Sequence, residues 1–149
     1  MIIATTIAQV RAQVAAWKKE GLTVGLVPTM GYLHEGHASL VDEAVRQCDR
    51  VVASDFVNPT QFGPNEDLEA YPRDFDRDCA LLEEHGCAMV FHPAVEEMYA
   101  PGAATYVEIL SDMPKQLCGK TRPIHFRGVC TVDSKLFNIV TPDKACFGQ

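Results

Sequence analysis

His34 and His37 stand three residues apart in the stretch Pro28-Thr29-Met30-Gly31-Tyr32-Leu33-His34-Glu35-Gly36-His37. A short apolar run precedes this stretch and an amphipathic segment follows it, so the pattern predicts strand, glycine-bearing turn, then helix. A helix start offers unpaired N–H groups and the positive end of the helix dipole, which suits an anion. Imidazoles there can donate hydrogen bonds to phosphate oxygens and stabilise charge that builds when an α-phosphate is attacked. Gly31 and Gly36 permit tight turns and close backbone approach. Two histidines at this spacing can also hold a metal, although no third ligand is obvious. Two unrelated surface histidines are the plainer alternative; the turn context and the H-x-G-H form oppose it.

A second candidate group lies in Phe56-Val57-Asn58-Pro59-Thr60-Gln61-Phe62. Asn58 and Gln61 are amides in an apolar setting, suited to holding a small polar molecule. A bare Asn-Pro turn is the alternative. A third group is basic: Lys115, Lys120, Arg122, His125 and Arg127 occur between Met113 and Cys130 with no acid among them. In a chain with 13 Lys+Arg, 20 Asp+Glu and a net charge of −7, this is a local positive patch suited to an anionic ligand. The overall acidity disfavours nucleic acid or an anionic membrane surface as the main partner.

The elements that must position these groups are legible in outline. Thr6 and Gln9 form a capping box ahead of Ile7, Val10, Val14 and Trp17, and Gly21 ends that helix. Thr23–Val27 reads as a buried strand ended by Pro28. Leu40, Val41, Ala44, Val45 and Cys48 mark a second helix, and Val51–Val57 a second strand. Phe75, Cys79 and Leu82 mark a third helix before Gly86, and Ala88–Phe91 a third strand. Thr105–Leu110 alternates and reads as a strand or edge ribbon. A last helix follows Gly128 through Val129, Val132, Leu136 and Val140, and Ala145–Phe147 is a short final strand. Strands alternating with helices predict an α/β fold: a parallel sheet with helices on both faces and ligands at the carboxyl ends of the strands. The 149 residues fit one domain. No apolar run is long enough for a membrane helix and no signal peptide is expected. The six scattered cysteines, with no CxxC pair, read as reduced and structural in a cytoplasmic chain.

H-x-G-H in this position resembles the nucleotidyltransferase superfamily with its Rossmann-like sheet. Six stretches taken in order, PTMGYLHEGH, FVNPTQF, NEDLEAYPR, RPIHFRGV, SKLFN and PDKACFG, resemble the pantoate–β-alanine ligase family. That resemblance implies an ATP- and Mg2+-dependent ligase that joins pantoate to β-alanine through a pantoyl adenylate, releasing pyrophosphate and AMP. It implies an ATP site along Met30, Gly31, Tyr32, Leu33, His34, Glu35, Gly36 and His37, with His37 as proton donor and His34 beside it. Gly148 and Gln149 match the start of a nucleotide-binding loop. Gln61, Asn58, Thr29 and Met30 are implied to hold pantoate or β-alanine, with Arg122 and His125 at the mouth of the site. Asp78 matches an acid linked to magnesium. A cytoplasmic homodimer is implied as well.

The chain also departs from the family's pattern. Asp55 stands where an apolar residue is usual, and a carboxylate there needs a partner or an exposed face. Gln149 replaces a usual Glu. Residues 1–149 are expected to form one Rossmann-like domain, incomplete at its C-terminus and without the family's C-terminal lid domain, so the isolated chain is expected to turn over weakly or not at all. The alternatives are a related H-x-G-H adenylyltransferase or a non-catalytic dimerisation fragment.

Overall fold

In the computed structural model, residues 1–110 and 123–148 are described. Five strands form one parallel sheet in the order β1-β4-β3-β2-β5. They are β1 (Ile2–Ala4), β2 (Val24–Thr29), β3 (Arg50–Asp55), β4 (Met89–Phe91) and β5 (Lys144–Ala145). The helices are α1 (Ile7–Lys19), α2 (Glu35–Gln47), α3 (Phe75–Glu84), the single turn α4 (Val95–Met98) and α5 (Pro123–Val140).

The period-two pattern of the strands divides the core. Val24, Leu26, Val52, Met89 and Phe91 point to one face, where Val10, Val14 and Trp17 of α1 and Val132, Leu136 and Val140 of α5 cover them. Val27, Val51, Ala53 and Val90 point to the other face, under Val41 and Ala44 of α2 and Leu82 of α3. Helices therefore cover both faces, as the alternating pattern requires.

The structure corrects several expected boundaries. β2 runs through Pro28 to Thr29. Leu26 accepts from the Cys146 N–H on the β5 side, and Pro28 faces that same side, beyond the end of β5 at Ala145. Its missing N–H therefore breaks no ladder bond. β3 ends at Asp55, earlier than the expected Val57, and β5 covers Lys144–Ala145. Ile2–Ala4 is an edge strand too short to stand out in the sequence. Thr105–Leu110 forms no strand; it is exposed, and the Val107 N–H bonds to Thr131 Oγ1 at 3.0 Å. α5 starts at Pro123, one and a half turns before Gly128.

Gly128 lies inside α5 because backbone passes against it. A Cβ there would sit 2.5 Å from Thr60 O and 2.7 Å from Gln61 N. α5 thus packs directly on the 3-10 turn Pro59–Gln61, joining two of the sequence motifs. Gly128→Ala is expected to destabilise the chain by about 1–3 kcal/mol through overpacking. Urea unfolding checks this, and an unchanged midpoint would show that the joint is loose.

Candidate active site

The turn from Gly31 to Leu33 leaves β2 with two successive left-handed residues, Gly31 at φ +81° and Tyr32 at φ +52°. Gly31 is required twice over, since a Cβ would also lie 2.4 Å from Asp55 Oδ1. Thr29 Oγ1 donates to Ser54 O at 2.7 Å and accepts from the Gly31 N–H at 3.1 Å. The Tyr32 and Leu33 N–H groups donate to the two oxygens of Asp78 on α3, at 2.9 and 2.8 Å. Arg77 donates to Leu33 O at 2.6 Å and lies over the Tyr32 ring.

His34 and His37 close the turn as a reciprocal capping box on α2. The His34 N–H donates to His37 Nδ1 at 3.2 Å, and the Gly36 N–H donates to His34 Nδ1 at 3.0 Å. A ring nitrogen that accepts from a backbone N–H carries no proton, so each neutral imidazole must carry its proton on Nε2. Burial and the neighbouring His34 hold His37 below the ordinary imidazole value, while Asp78 pulls it back up. With Nδ1 of each ring taken by a backbone N–H, the pair presents Nε2–H donors at a helix N-terminus.

His37 borders a cavity of about 300 Å³ at the carboxyl ends of β2 and β3, together with Thr29, Met30, Gly31, Asn58 and Gln61. These expected site residues therefore come together. Tyr32 belongs to a neighbouring cavity of about 270 Å³ across Gly31. Leu33 is buried in the core, and Glu35 is exposed in the first turn of α2. Phe147 reaches the main cavity from beyond β5, with Gly148 next to it against Leu40. Arg122 and Gln149 lie outside the described residues.

Three expected roles change. Asn58 is fully buried and its amide is engaged by protein: Oδ1 accepts from Tyr99 Oη, Thr60 N and Thr60 Oγ1, and Nδ2 donates to Gln61 Oε1 and Gly128 O. It holds Gln61 and has no amide atom left for a ligand. Asp78, 1% exposed and accepting two backbone N–H groups, supports the histidine turn. Among the described residues no group of three or more His, Cys, Asp or Glu is placed to hold a metal. His125, half-buried beside Phe126 in α5, does not line the cavity.

Other site residues had escaped the sequence reading. Tyr71, Ser54 and Asp133 line the main cavity. Burial pushes Asp133 up to about 6. Tyr99 bonds Asn58 from behind the cavity. Their types are ordinary and their spacing periodic with nothing, so only the fold collects them. Cys48, Cys79, Cys87, Cys130 and Cys146 are free thiols.

Asp55 is 4% exposed, with Oδ2 lacking any N–H or O–H partner among the described residues. Burial, then the adjacent Asp78 carboxylate, pushes its carboxyl up to about 8. The folded chain therefore keeps this proton between roughly pH 4 and 8, where an unfolded Asp has lost it. Stability contributed by the carboxyl is complete below that window and falls as pH rises through it. Asp55→Asn is expected to gain stability over the parent as pH climbs from 5 to 8.5. Urea midpoints at both values check this, and a gap independent of pH would contradict it.

The chain is similar to known proteins along its whole length. The pantoate-beta-alanine ligase family profile matches residues 2–149. Pantothenate synthetases from Moorella thermoacetica and Enterococcus faecalis are 60% and 58% identical over 149 residues, covering 100% of this chain and 52% of each relative. The crystal structure of pantothenate synthetase from Thermus thermophilus superposes with a TM-score of 0.89 at 49% identity, covering 97% of this chain and 51% of that one. Pantoate-beta-alanine ligase from Francisella tularensis, solved in complex with beta-gamma ATP and beta-alanine, gives 0.91 at 38% identity, covering 97% and 55%. The chain spans about half the length of the relatives it matches.

Proposed function

The chain belongs to the pantoate–β-alanine ligase family, and on that premise we infer that it carries the nucleotide- and acid-binding half of an ATP-dependent ligase acting on pantoate and β-alanine. The observation that carries this reading is the pair of Nε2–H imidazoles at the start of α2, of which His37 lines the same cavity as Gln61 and His34 stands exposed beside it in the capping box. Phosphate oxygens need donors, and these donors are fixed in place before a ligand arrives.

In this reading a pantoate carboxylate oxygen attacks the α-phosphorus of ATP and pyrophosphate leaves. The amine of β-alanine then attacks the acyl carbon of the adenylate, AMP leaves and an amide forms. The protein forms no bond in either step, so its work is positioning and charge stabilisation. His34 and His37 donate hydrogen bonds from Nε2 to the α-phosphate oxygens as negative charge develops. Gln61 holds pantoate against the wall formed by Val129, Val132 and Leu136. Magnesium enters as the counter-ion of the substrate nucleotide. A homodimer is part of the same proposal, and sedimentation tests it.

Pyrophosphate release from Mg·ATP, with and without pantoate and omitting β-alanine, tests the first step. Pantoate-dependent release supports the reading, and release indifferent to pantoate contradicts it. In protein that shows the activity, His37→Ala is expected to slow release about 10²–10³-fold, the usual effect of deleting one transition-state donor. A variant keeping the parent rate would remove His37 from the chemistry.

A further inference from the structure

Gln61 is held by a chain of hydrogen bonds whose direction can be read without ambiguity. At one end of the Asn58 amide stands the Thr60 N–H, which can only donate, 3.2 Å from Oδ1. At the other end stands Gly128 O, which can only accept, 3.0 Å from Nδ2. These two backbone groups fix which end of the amide is oxygen. The same Nδ2 lies 3.0 Å from the Gln61 side chain, so the Gln61 atom facing it must be Oε1. Reversing Gln61 would set two N–H2 groups against each other in a buried spot. Nε2 is thus the amide atom that Gln61 leaves for the cavity it lines.

The far end of the chain is Tyr99, which follows α4. Its hydroxyl donates to Asn58 Oδ1 at 2.8 Å, with Thr60 Oγ1 3.3 Å away. The ring is fixed by Phe56 on one side, at 6.3 Å between centroids, and by Lys135 of α5, whose Nζ is 5.1 Å from the ring centre. Tyr99 does not line the main cavity; it borders a smaller one behind the 3-10 turn.

We propose that Tyr99 is a positioning residue: it holds in place the Asn58 amide whose direction the backbone sets, and so keeps Gln61 presented as a donor of N–H bonds only. The cavity is thereby selective, at Gln61, for a ligand that brings an oxygen acceptor, a hydroxyl or a carboxylate. This rests on the reading above insofar as pantoate is taken as that ligand.

The test uses the 149-residue chain, its Tyr99→Phe variant, which loses only a hydroxyl, and Asn58→Asp, which offers Gln61 an acceptor and so turns its amide round. Pantoate and Mg·ATP affinities are measured separately by calorimetry. Tyr99→Phe is expected to weaken pantoate about tenfold, the effect of one hydrogen bond, and to leave ATP within about twofold. Asn58→Asp is expected to weaken pantoate further. A general loosening of the fold would weaken both ligands alike, and that result, or an unchanged pantoate affinity, overturns the proposal. A second readout needs no ligand: the buried Asn58 Nδ2 protons are expected to exchange with solvent at least about tenfold faster in Tyr99→Phe. If the parent binds no pantoate, the substrate reading fails, and this exchange rate alone decides whether Tyr99 holds the relay.

Discussion

The turn between β2 and α2 depends on one interaction, the pair of backbone N–H bonds from Tyr32 and Leu33 to Asp78. Two successive left-handed residues lead the chain away from the sheet, and no ladder or helix can satisfy the N–H groups that follow. Left unpaired beside a buried leucine, each would cost roughly 1–3 kcal/mol. A carboxylate on α3 takes both. The turn therefore exists only because α3 is packed where it is, by Leu82 and Phe75 against the α2 face of the sheet. The histidines inherit their position from this, since the same turn delivers His34 to the N-cap of α2.

A second joint holds the opposite wall. Asn58, at the centre of its own web of bonds, connects the 3-10 turn after β3 to the backbone of α5 at Gly128. The close approach at Gly128 is what lets that bond form. FVNPTQF and RPIHFRGV, far apart in sequence, are the two halves of one contact. The amide in the first and the glycine in the second are each explained by the other.

Much of this was legible in the chain itself. The apolar periods of α1, α2 and α3 and the H-x-G-H spacing are local properties, and a sequence displays them directly. The placement of His34 and His37 at a helix start was visible as well, because a turn into a helix N-terminus is a local arrangement. Roles that depend on a distant partner were not. Asn58 looks like a ligand-holding amide until Tyr99 and Gly128 are seen to occupy it. Asp78 looks like a metal ligand in the sequence, and its hold on the Tyr32 and Leu33 N–H groups shows only in the fold. Thr105–Leu110 alternates like a strand, but it pairs with no strand among the described residues and lies as exposed chain tied to Thr131. Pro28 is a strand breaker only where a neighbour needs its N–H, and β5 has already ended there.

Asp55 and Asp78 show how a helix N-terminus tolerates two carboxyls beneath the turn that leads to it. Ionised together they would set like charges side by side in a poorly solvated place, directly under the turn that leads to His34 and His37. One proton shared by the pair removes half of that charge. Asp78 accepts two backbone N–H bonds, whereas Asp55 Oδ2 finds no donor among the described residues. Burial and the neighbouring carboxylate both work toward keeping the proton on Asp55. The carboxyl that looks out of place in the sequence is, in its protonated form, a neutral filler between β3 and α3.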